Sequence, residues 1–344
     1  MGNLPHGPRP LDPEWPRPFQ PHILLRSGHA QTAYAGLWNT CRVPHAAQAH
    51  LLATEDGDQL VLHEDTPAGW RPGQRSALLV HGLGGCHRSP YIVRTADKLN
   101  QHGVRTFRLD LRGCGAGERL ATRPGHAGRS EDARLAVEFV QQTCPGSPIV
   151  LLGYSLGANV VLKMLGECGV AAPPCLVGVL AVAPPIDLLA CSRNMSRLGM
   201  TPYNRWFVRC LNQQVRERRS FVPSLRQLDL PRPPRTLYEF DDWITAPLSG
   251  FRSAQDYYEQ CSAATLLNAI RVPTTILAAE DDPIVPASMF RGAKWSAHVR
   301  VHVTRHGGHV GYFGRAGHDR DRHWLDWRAV EFVHGQPATP SRPA

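Results

Sequence analysis

Short runs of apolar residues alternate along this chain with longer segments in which apolar residues return every three or four positions. The runs are predicted as buried strands, because each is short and bounded by turn-forming or polar residues. They cover residues 76–80, 103–111, 149–152, 176–183, 272–279 and 299–303. The intervening spacing is helical, as in the run of Val160, Val161, Met164 and Leu165. Strands that alternate with helices predict an α/β fold with a mostly parallel sheet and helices on both faces.

Turn and cap signals add local detail. Residues 50–66 are predicted as a hairpin that turns at Asp56-Gly57-Asp58 and adds antiparallel strands at one sheet edge. The polar cluster at residues 27–32 precedes apolar residues and is typical of a helix N-terminus. Ser130 is predicted to cap the helix that follows it.

The same pattern divides the chain into five parts. Residues 1–22 carry seven prolines, which forbid a helix there. The segment between two predicted strands at 187–271 is too long for a single crossover helix and is predicted to form a helical lid. The predicted parts are an extension at 1–22, a first core part at 23–186, the lid at 187–271, a second core part at 272–334 and a tail at 335–344.

A candidate nucleophile follows the strand at 149–152. The strand runs into Gly153-Tyr154-Ser155-Leu156-Gly157, which has the form G-x-S-x-G, and a helical pattern comes next. Strand, glycine-flanked turn and helix are the context in which this motif marks a nucleophile elbow. A chance turn between a strand and a helix is the alternative. The context favours Ser155 as the nucleophile.

Candidate oxyanion donors follow the strand at 76–80, which ends in His81-Gly82-Leu83-Gly84-Gly85. An H-G-x-G segment upstream of a nucleophile elbow is where serine hydrolases place their second oxyanion donor. We expect the backbone amides of Leu83 and Leu156 to be these donors. A phosphate-binding loop is disfavoured, because no G-K-[ST] follows the glycines.

An acid and a histidine follow the last two predicted strands. Asp282 precedes Pro283-Ile284-Val285-Pro286, and His309 ends Arg305-His306-Gly307-Gly308-His309. The chain order Ser155, Asp282, His309 is that of α/β hydrolases, with the histidine as base and the acid as its orienting partner. Asp281 or Glu280 could replace Asp282, but Val285-Pro286 after the acid favours Asp282. His306 competes with His309, and the two glycines before His309 favour His309. A metal site built from His306, His309, His318 and His323 is disfavoured, because their spacing is not that of helical metal ligands.

Composition narrows the class of protein. The 344 residues are 42% hydrophobic and carry a formal charge of +9 that is spread over many arginines, which argues against a nucleic-acid module. Nine cysteines without a C-x-x-C spacing predict reduced thiols, not disulfides or a zinc site. No apolar stretch resembles a signal peptide or a membrane span, and His6 breaks a myristoylation motif at Gly2. A cytoplasmic protein is predicted.

Charge in the lid allows two interpretations. Residues 187–240 hold ten arginines against four acidic residues. Charge runs are usually solvated surface, which is the simpler interpretation. Peripheral contact with an anionic membrane is the alternative.

Several motifs resemble those of one family, the YheT-type or AB hydrolase 4 family of α/β-fold hydrolases, over about residues 22–325. They are residues 28–32, 81–85 with 89–91, 112–114, 153–159, 239–242 with 245–246, 256–258, 281–283 and 306–311. The resemblance implies an α/β-hydrolase fold with a lid, carboxylic-ester hydrolysis, and a triad at Ser155, Asp282 and His309. Its eukaryotic relatives act on acylglycerols or phospholipids. Ala158 departs from the family, where glycine is common after the elbow.

The sequence therefore predicts a serine esterase that forms an acyl-enzyme and needs no cofactor or metal. Its expected partner is a small-molecule ester or acyl lipid, and no nucleic acid. A lipase acting on monoacylglycerol or phospholipid is the first alternative. A binding protein with an unused triad is the second. Epoxide and haloalkane hydrolysis is disfavoured, because the enzymes of this fold that catalyse it carry Asp where Ser155 stands.

Overall fold

The computed structural model describes residues 15–37, 41, 47–317 and 319–339. Residues 1–14 of the predicted extension, residues 340–344 of the predicted tail, and His318 lie outside this part of the chain.

The described residues form one eight-stranded sheet with the order β1-β2-β4-β3-β5-β6-β7-β8. Only β1 and β2 run antiparallel to their neighbours, and the pairs from β4 to β8 are parallel. This confirms the predicted α/β fold, including the hairpin at one edge. The strands are β1 Gln48–Ala53, β2 Gln59–Asp65, β3 Ser76–Val80, β4 Arg105–Asp110, β5 Ile149–Tyr154, β6 Leu176–Val182, β7 Thr274–Ala279 and β8 Val299–Thr304.

Twelve α-helices lie in the described part of the chain. They are α1 Gly28–Leu37, α2 Pro90–Gln101, α3 Ser130–Thr143, α4 Leu156–Cys168, α5 Leu188–Met195, α6 Thr201–Arg218, α7 Pro223–Gln227, α8 Leu237–Phe240, α9 Ala246–Leu248, α10 Ala254–Cys261, α11 Ser288–Arg291 and α12 Trp324–Gly335. A π-helical turn spans Asp241–Thr245, and short 3₁₀ turns cover Gly115–Gly117, Gly169–Ala171, Leu198–Met200, Ala263–Thr265 and Leu267–Ala269.

Helices cover both faces of the sheet, as the hydrophobic pattern predicted. Successive strand residues point to opposite faces. Leu78 and Val80 of β3 therefore join a core cluster with α3 and α4. Ala77 and Leu79 join a second cluster with α2 and α12 on the other face. The central strands are buried on both sides, which explains why they read as continuous apolar runs.

Residues 187–271, which we call the cap, contain α5 to α10 and no strand. Some of their apolar side chains, such as Cys191 and Ile270, join the main core. Others form two small clusters, one around Tyr257 and Tyr258 and one around Phe240 and Ile244. The helical nature of this segment agrees with the sequence. Its boundaries at 187 and 271 stay a prediction.

The prediction that Ser130 caps a helix was wrong, and the prediction that residues 27–32 begin a helix is confirmed. Ser130 is the first residue of α3 and does not cap it, because its hydroxyl donates to the carboxylate of Glu167 and lies 3.4 Å from the carbonyl of Gly128. The polar cluster at residues 27–32 does begin a helix, since α1 starts at Gly28. None of the described helices is long and apolar enough to cross a membrane.

Candidate active site

Ser155 sits on the sharp turn between β5 and α4. Its φ is +51°, a left-handed conformation that is unfavourable for a side chain other than glycine. The flanking glycines make this turn possible. A Cβ on Gly157 would lie 2.3 Å from the carbonyl oxygen of His81, and one on Gly153 would lie 2.7 Å from the Cα of Ala158. The G-x-S-x-G motif is therefore required by backbone packing at both glycines.

The tertiary structure brings together the three side chains that the sequence singled out. The Nε2 atom of His309 lies 2.8 Å from the hydroxyl oxygen of Ser155. Its Nδ1 atom lies 2.8 Å from Oδ2 of Asp282. Asp282 and His309 are 7% and 9% exposed. An imidazole held between a hydroxyl and a buried carboxylate can take the hydroxyl proton while its cation is stabilised.

Two backbone amides hold Asp282 in place. Its Oδ1 atom accepts hydrogen bonds from the amides of Ile284, at 2.8 Å, and Val285, at 3.0 Å. Oδ2 is left to face the imidazole of His309. The residues after the acid thus orient it, which is the physical content of the Asp-Pro-x-Val segment that favoured Asp282 in the sequence.

Asp281 and His306, the competing residues, pair with each other instead. The Nδ1 atom of His306 lies 3.2 Å from Oδ2 of Asp281. The Oδ1 atom of Asp281 accepts a hydrogen bond of 2.9 Å from the amide of Gly308. Glu280 points to Arg291 at 3.8 Å, with both side chains largely exposed. Asp281, through His306 and the amide of Gly308, braces the loop that carries His309.

Sequence reasoning missed the part that α1 plays at the site. The amide of His309 donates to the hydroxyl of Thr32 at 2.8 Å, and that hydroxyl donates to the carbonyl of Gly28 at 2.7 Å. The side chain of Gln31 donates to the carbonyls of Leu25 and Phe313 and accepts from the amide of Phe313. The signal was present, because residues 28–32 form one of the motifs that carried the family resemblance.

The loop from His81 to Gly85 approaches Ser155 closely. A Cβ on Gly82 would lie 3.0 Å from Cβ of Ser155. His81 holds the loop, because its Nε2 atom accepts from the amide of Leu111 and its Nδ1 atom is therefore free to donate to the carbonyl of Gly82. Within the described part of the chain, the amides of Leu83 and Leu156 have no hydrogen-bond acceptor. That state suits the oxyanion donors that the sequence predicts, and their role stays a prediction.

Side chains of the types that can ligate a metal converge at a place that the sequence did not indicate. Among the described residues, one group of three has this property, formed by His63, His87 and Asp110 with ligand atoms within 4.8 Å of one another. It includes none of the four histidines weighed above, of which His318 lies outside the described residues. The carboxylate of Asp110 accepts from both imidazoles and from the amides of His87 and Ala116, so its acceptor positions are occupied by protein donors.

Burial raises the pKa of Asp110, but the hydrogen bonds from His63 and His87 outweigh it and hold that pKa far below its ordinary value. The ionised carboxylate therefore ties the loop after β3 to the end of β4. This contact positions the glycine-rich loop beside Ser155.

A cavity of about 110 Å³ opens at Ser155 between the core and the cap. Its core side contains Ser155, Leu83 and Leu156. Its cap side is mostly apolar and is lined by Leu188, Met195, Phe207, Leu211, Phe240, Tyr257 and Tyr258. Asp241 of the cap also lines it. An ester could be held here with its carbonyl near the serine and its chains against the apolar wall.

Comparisons with known proteins agree with this fold. Residues 78–316 match the family described as alpha/beta hydrolase fold. The chain is 32% identical over 296 residues to "Putative esterase YheT" of Escherichia coli, with 85% of this chain and 83% of that protein covered. It is 28% identical over 288 residues to "Phospholipase ABHD3" of Mus musculus, with 79% and 68% covered.

A mouse protein named "Monoacylglycerol lipase ABHD2" is 26% identical over 335 residues, with 91% of this chain and 79% of that protein covered. Among solved structures, the Pyrococcus furiosus esterase Pf2001 has a TM-score of 0.54 at 17% identity, with 84% of this chain and 92% of that chain covered. The structural likeness concerns the fold.

Proposed function

The chain belongs to the YheT-type family of α/β-fold hydrolases and is a carboxylic-ester hydrolase, and we propose that it cleaves esters with Ser155, His309 and Asp282 as a catalytic triad. One observation carries the proposal. His309 bridges the Ser155 hydroxyl and the Asp282 carboxylate, with both distances at 2.8 Å, at the end of a cavity that can hold an ester.

In the first half of the reaction, Nε2 of His309 takes the proton of the Ser155 hydroxyl while the oxygen attacks the ester carbonyl carbon. The carbonyl oxygen becomes an oxyanion, and the amides of Leu83 and Leu156 donate hydrogen bonds to it. The carbon–oxygen bond to the alcohol then breaks, and the proton on His309 passes to the departing alkoxide. The products of this half are the free alcohol and an acyl group on Ser155.

In the second half, His309 takes a proton from water, and the resulting hydroxide attacks the acyl carbonyl carbon. The bond to Ser155 breaks, the serine recovers a proton from His309, and the carboxylic acid leaves. Asp282 keeps the proton of His309 on Nδ1 throughout, so that Nε2 is available as the base, and it stabilises the imidazolium.

The test is labelling of the purified protein with a fluorophosphonate probe, which bonds covalently to an activated serine. We expect labelling of the wild type, and none in Ser155→Ala or His309→Ala. His298→Ala is the matched control, because it removes an exposed histidine whose side chain does not contact Ser155. A folded wild-type protein that stays unlabelled would contradict the proposal and favour a binding protein with an unused triad.

A second candidate, a lipase acting at an anionic lipid surface, is favoured by one feature of the cap. A groove of about 580 Å³ is lined by Arg197, Arg205, Arg209, Arg216 and Arg235. In the described part of the chain, none of their guanidinium groups lies within salt-bridge distance of a carboxylate. Such a surface attracts anionic lipid head groups, each arginine contributing about 1 kcal/mol near the membrane.

Two exposed apolar residues are sequence neighbours of arginines that line this groove, and they support the same candidate. Leu198 is 94% exposed and Trp206 is 42% exposed. Aromatic and apolar side chains next to basic ones are typical of protein surfaces that rest on a bilayer.

Sedimentation with vesicles tests the lipid-surface candidate. We expect the protein to pellet with vesicles that contain phosphatidylglycerol, less so at higher salt, and not with pure phosphatidylcholine. The variant Arg205→Gln/Arg209→Gln should lose this binding. The variant Arg300→Gln/Arg305→Gln removes the same charge from exposed positions outside the cap and should keep the vesicle binding. If both variants lost vesicle binding equally, net charge alone would explain the binding, and a docking surface on the cap would be contradicted.

A further inference from the structure

Asp241 is an acidic residue in the wall of the cavity at Ser155, and the proposed reaction does not use it. It begins the π-helical turn Asp241–Thr245, which follows α8 directly. Single π-helical turns occur frequently at functional sites. The side chain is buried at 8% exposure and lines the same cavity as Ser155. An acyl or alkyl chain alone would need no carboxylate in this wall.

The hydrogen bonds of Asp241 come from neutral hydroxyl groups. The hydroxyl of Thr245 donates to Oδ1 at 2.8 Å, and that of Tyr258 donates to Oδ2 at 2.7 Å. No Lys, Arg or His nitrogen of the described chain lies within salt-bridge distance of this carboxylate. A carboxylate can accept about four hydrogen bonds, so about two acceptor positions remain for another donor. A buried carboxylate without a cation is costly unless such donors complete its shell.

The other titratable groups that line this cavity are held neutral. Burial is the largest cause in each case. It lowers the pKa of His126, with help from nearby arginines, to about 3. It raises the pKa of the Cys191 thiol and of the Tyr257 and Tyr258 hydroxyls above their ordinary values. Burial also raises the pKa of Asp241 to about 6, so this carboxyl group still ionises near neutral pH. Among the titratable groups that line the cavity, Asp241 is thus the one whose pKa lies near neutral pH with its charged form above it.

We infer that Asp241 sets the selectivity of Ser155 for esters that carry a free hydroxyl, by accepting a hydrogen bond from that hydroxyl. The inference rests on the proposed esterase function and adds the residue that distinguishes such esters, which include the monoacylglycerols considered above, from esters without a hydroxyl. The substrate hydroxyl donates to the carboxylate and completes its hydrogen bonds within the otherwise apolar wall. An ester without a hydroxyl leaves the buried carboxylate short of a donor, so it binds less well. Esters with an anionic acyl group are repelled.

The test compares two butanoate esters that share a three-carbon alcohol. One is glycerol monobutanoate, with two free hydroxyls, and the other is propyl butanoate, with none. For the wild type, kcat/KM should be higher for the glycerol ester by roughly 10-fold to 100-fold, the range expected for a hydrogen bond to a charged group. Asp241→Asn should lose most of that ratio. Asp241→Leu, of similar volume and without acceptors, should remove it fully and improve the propyl ester.

Glu259→Gln is the matched control, since it makes the same acid-to-amide change at an exposed site on the helix that carries Tyr258. It should keep the wild-type ratio. If Asp241 only held the cap in place, its variants would slow both esters equally, and an unchanged ratio would overturn the inference.

Fluorophosphonate labelling separates this inference from the proposed function. The Asp241 variants should still label at Ser155, because the probe needs the triad and not the hydroxyl. An unlabelled wild type would count against the esterase proposal itself. Labelled variants with an unchanged substrate ratio would count against the role of Asp241 alone. The wild-type ratio should also rise between pH 5 and pH 7, as Asp241 ionises, and should not change with pH in Asp241→Leu.

Discussion

The sheet core and the cap hold the same cavity from two sides, and they are built differently. Every residue of β3, β5, β6 and β7 is buried, and large apolar clusters cover both faces of the sheet. The cap consists of helices, of which only α6 is longer than eight residues, around two small clusters, with arginines and apolar side chains exposed. Many contacts therefore constrain the backbone at Ser155, whereas few constrain the cap. Such a division lets the chemistry stay constant while substrate preference varies.

Two carboxylates show this difference at the level of single residues. Asp282 of the core receives two backbone amides and the imidazole of His309. Asp241 of the cap receives two side-chain hydroxyls, and burial raises its pKa to about 6. The first is satisfied by the protein alone. The second is left with acceptor positions that, in our inference, the substrate fills.

The largest expected effect lies in the core, between two adjacent acids. Asp282→Asn should lower kcat by about 10⁴-fold, because an amide no longer holds the proton of His309 on Nδ1. Asp281→Asn should lower it by far less, since Asp281 contacts His306 and the amide of Gly308 rather than His309. Steady-state hydrolysis of glycerol monobutanoate measures both. If both variants lost kcat equally, the prediction that Asp282 alone orients His309 would be contradicted.

The next effect concerns a buried cation of the core. Arg112 is 2% exposed and forms hydrogen bonds to Asp56, Asp58 and Asp132. Arg112→Met should lower the free energy of unfolding by roughly 3–5 kcal/mol, because it leaves buried carboxylates without their partner. Arg232→Met in the cap breaks a pair with Glu239 whose side chains are 35% and 25% exposed, and should lower the free energy of unfolding far less than Arg112→Met does.

Substitution of one glycine in the core and one in the cap compares how tightly the backbone is packed in the two regions. Gly157→Ala would place a Cβ 2.3 Å from the carbonyl of His81, and we expect it to cost about 3 kcal/mol of unfolding free energy and to reduce fluorophosphonate labelling. At Gly199 in the cap, no atom lies within 4 Å of an added Cβ. Gly199→Ala should therefore unfold at the wild-type urea concentration. A tolerated Gly157→Ala would show that the elbow can relax.

The smallest effect is a gain in stability in the cap. Burial raises the pKa of Asp241 from 3.8 to about 6. Between these pH values the folded protein holds a proton that the unfolded chain has lost, so the contribution of Asp241 to stability falls as pH rises from 4 to 6. Asp241→Asn should therefore be more stable than the wild type by about 2 kcal/mol at pH 7, with no difference at pH 4.

Urea unfolding at pH 4, 5, 6 and 7 checks this prediction, with Glu259→Gln as the exposed control. A difference between Asp241→Asn and the wild type that did not vary with pH would contradict the burial cause. Greater stability together with a lost preference for the glycerol ester would show that the cap gives up stability for selectivity.

The sequence by itself determined the sheet and the place of the candidate chemistry in the chain. Short continuous apolar runs bounded by turn residues predict strands buried on both faces, and the residues that follow parallel strands meet at the carboxyl edge of the sheet. Ser155, Asp282 and His309 could be named on these grounds. Residues 27–32 could be predicted to begin a helix, but not to reach His309.

Only the tertiary structure decided which of two neighbouring acids faces the histidine. It also brought Thr32 to the amide of His309, His63 and His87 to Asp110, and Asp241 to the cavity at Ser155. In each case the partners lie far apart in the chain or differ by one position. Local periodicity carries no information about such contacts, because they depend on how loops and the cap pack against the finished sheet.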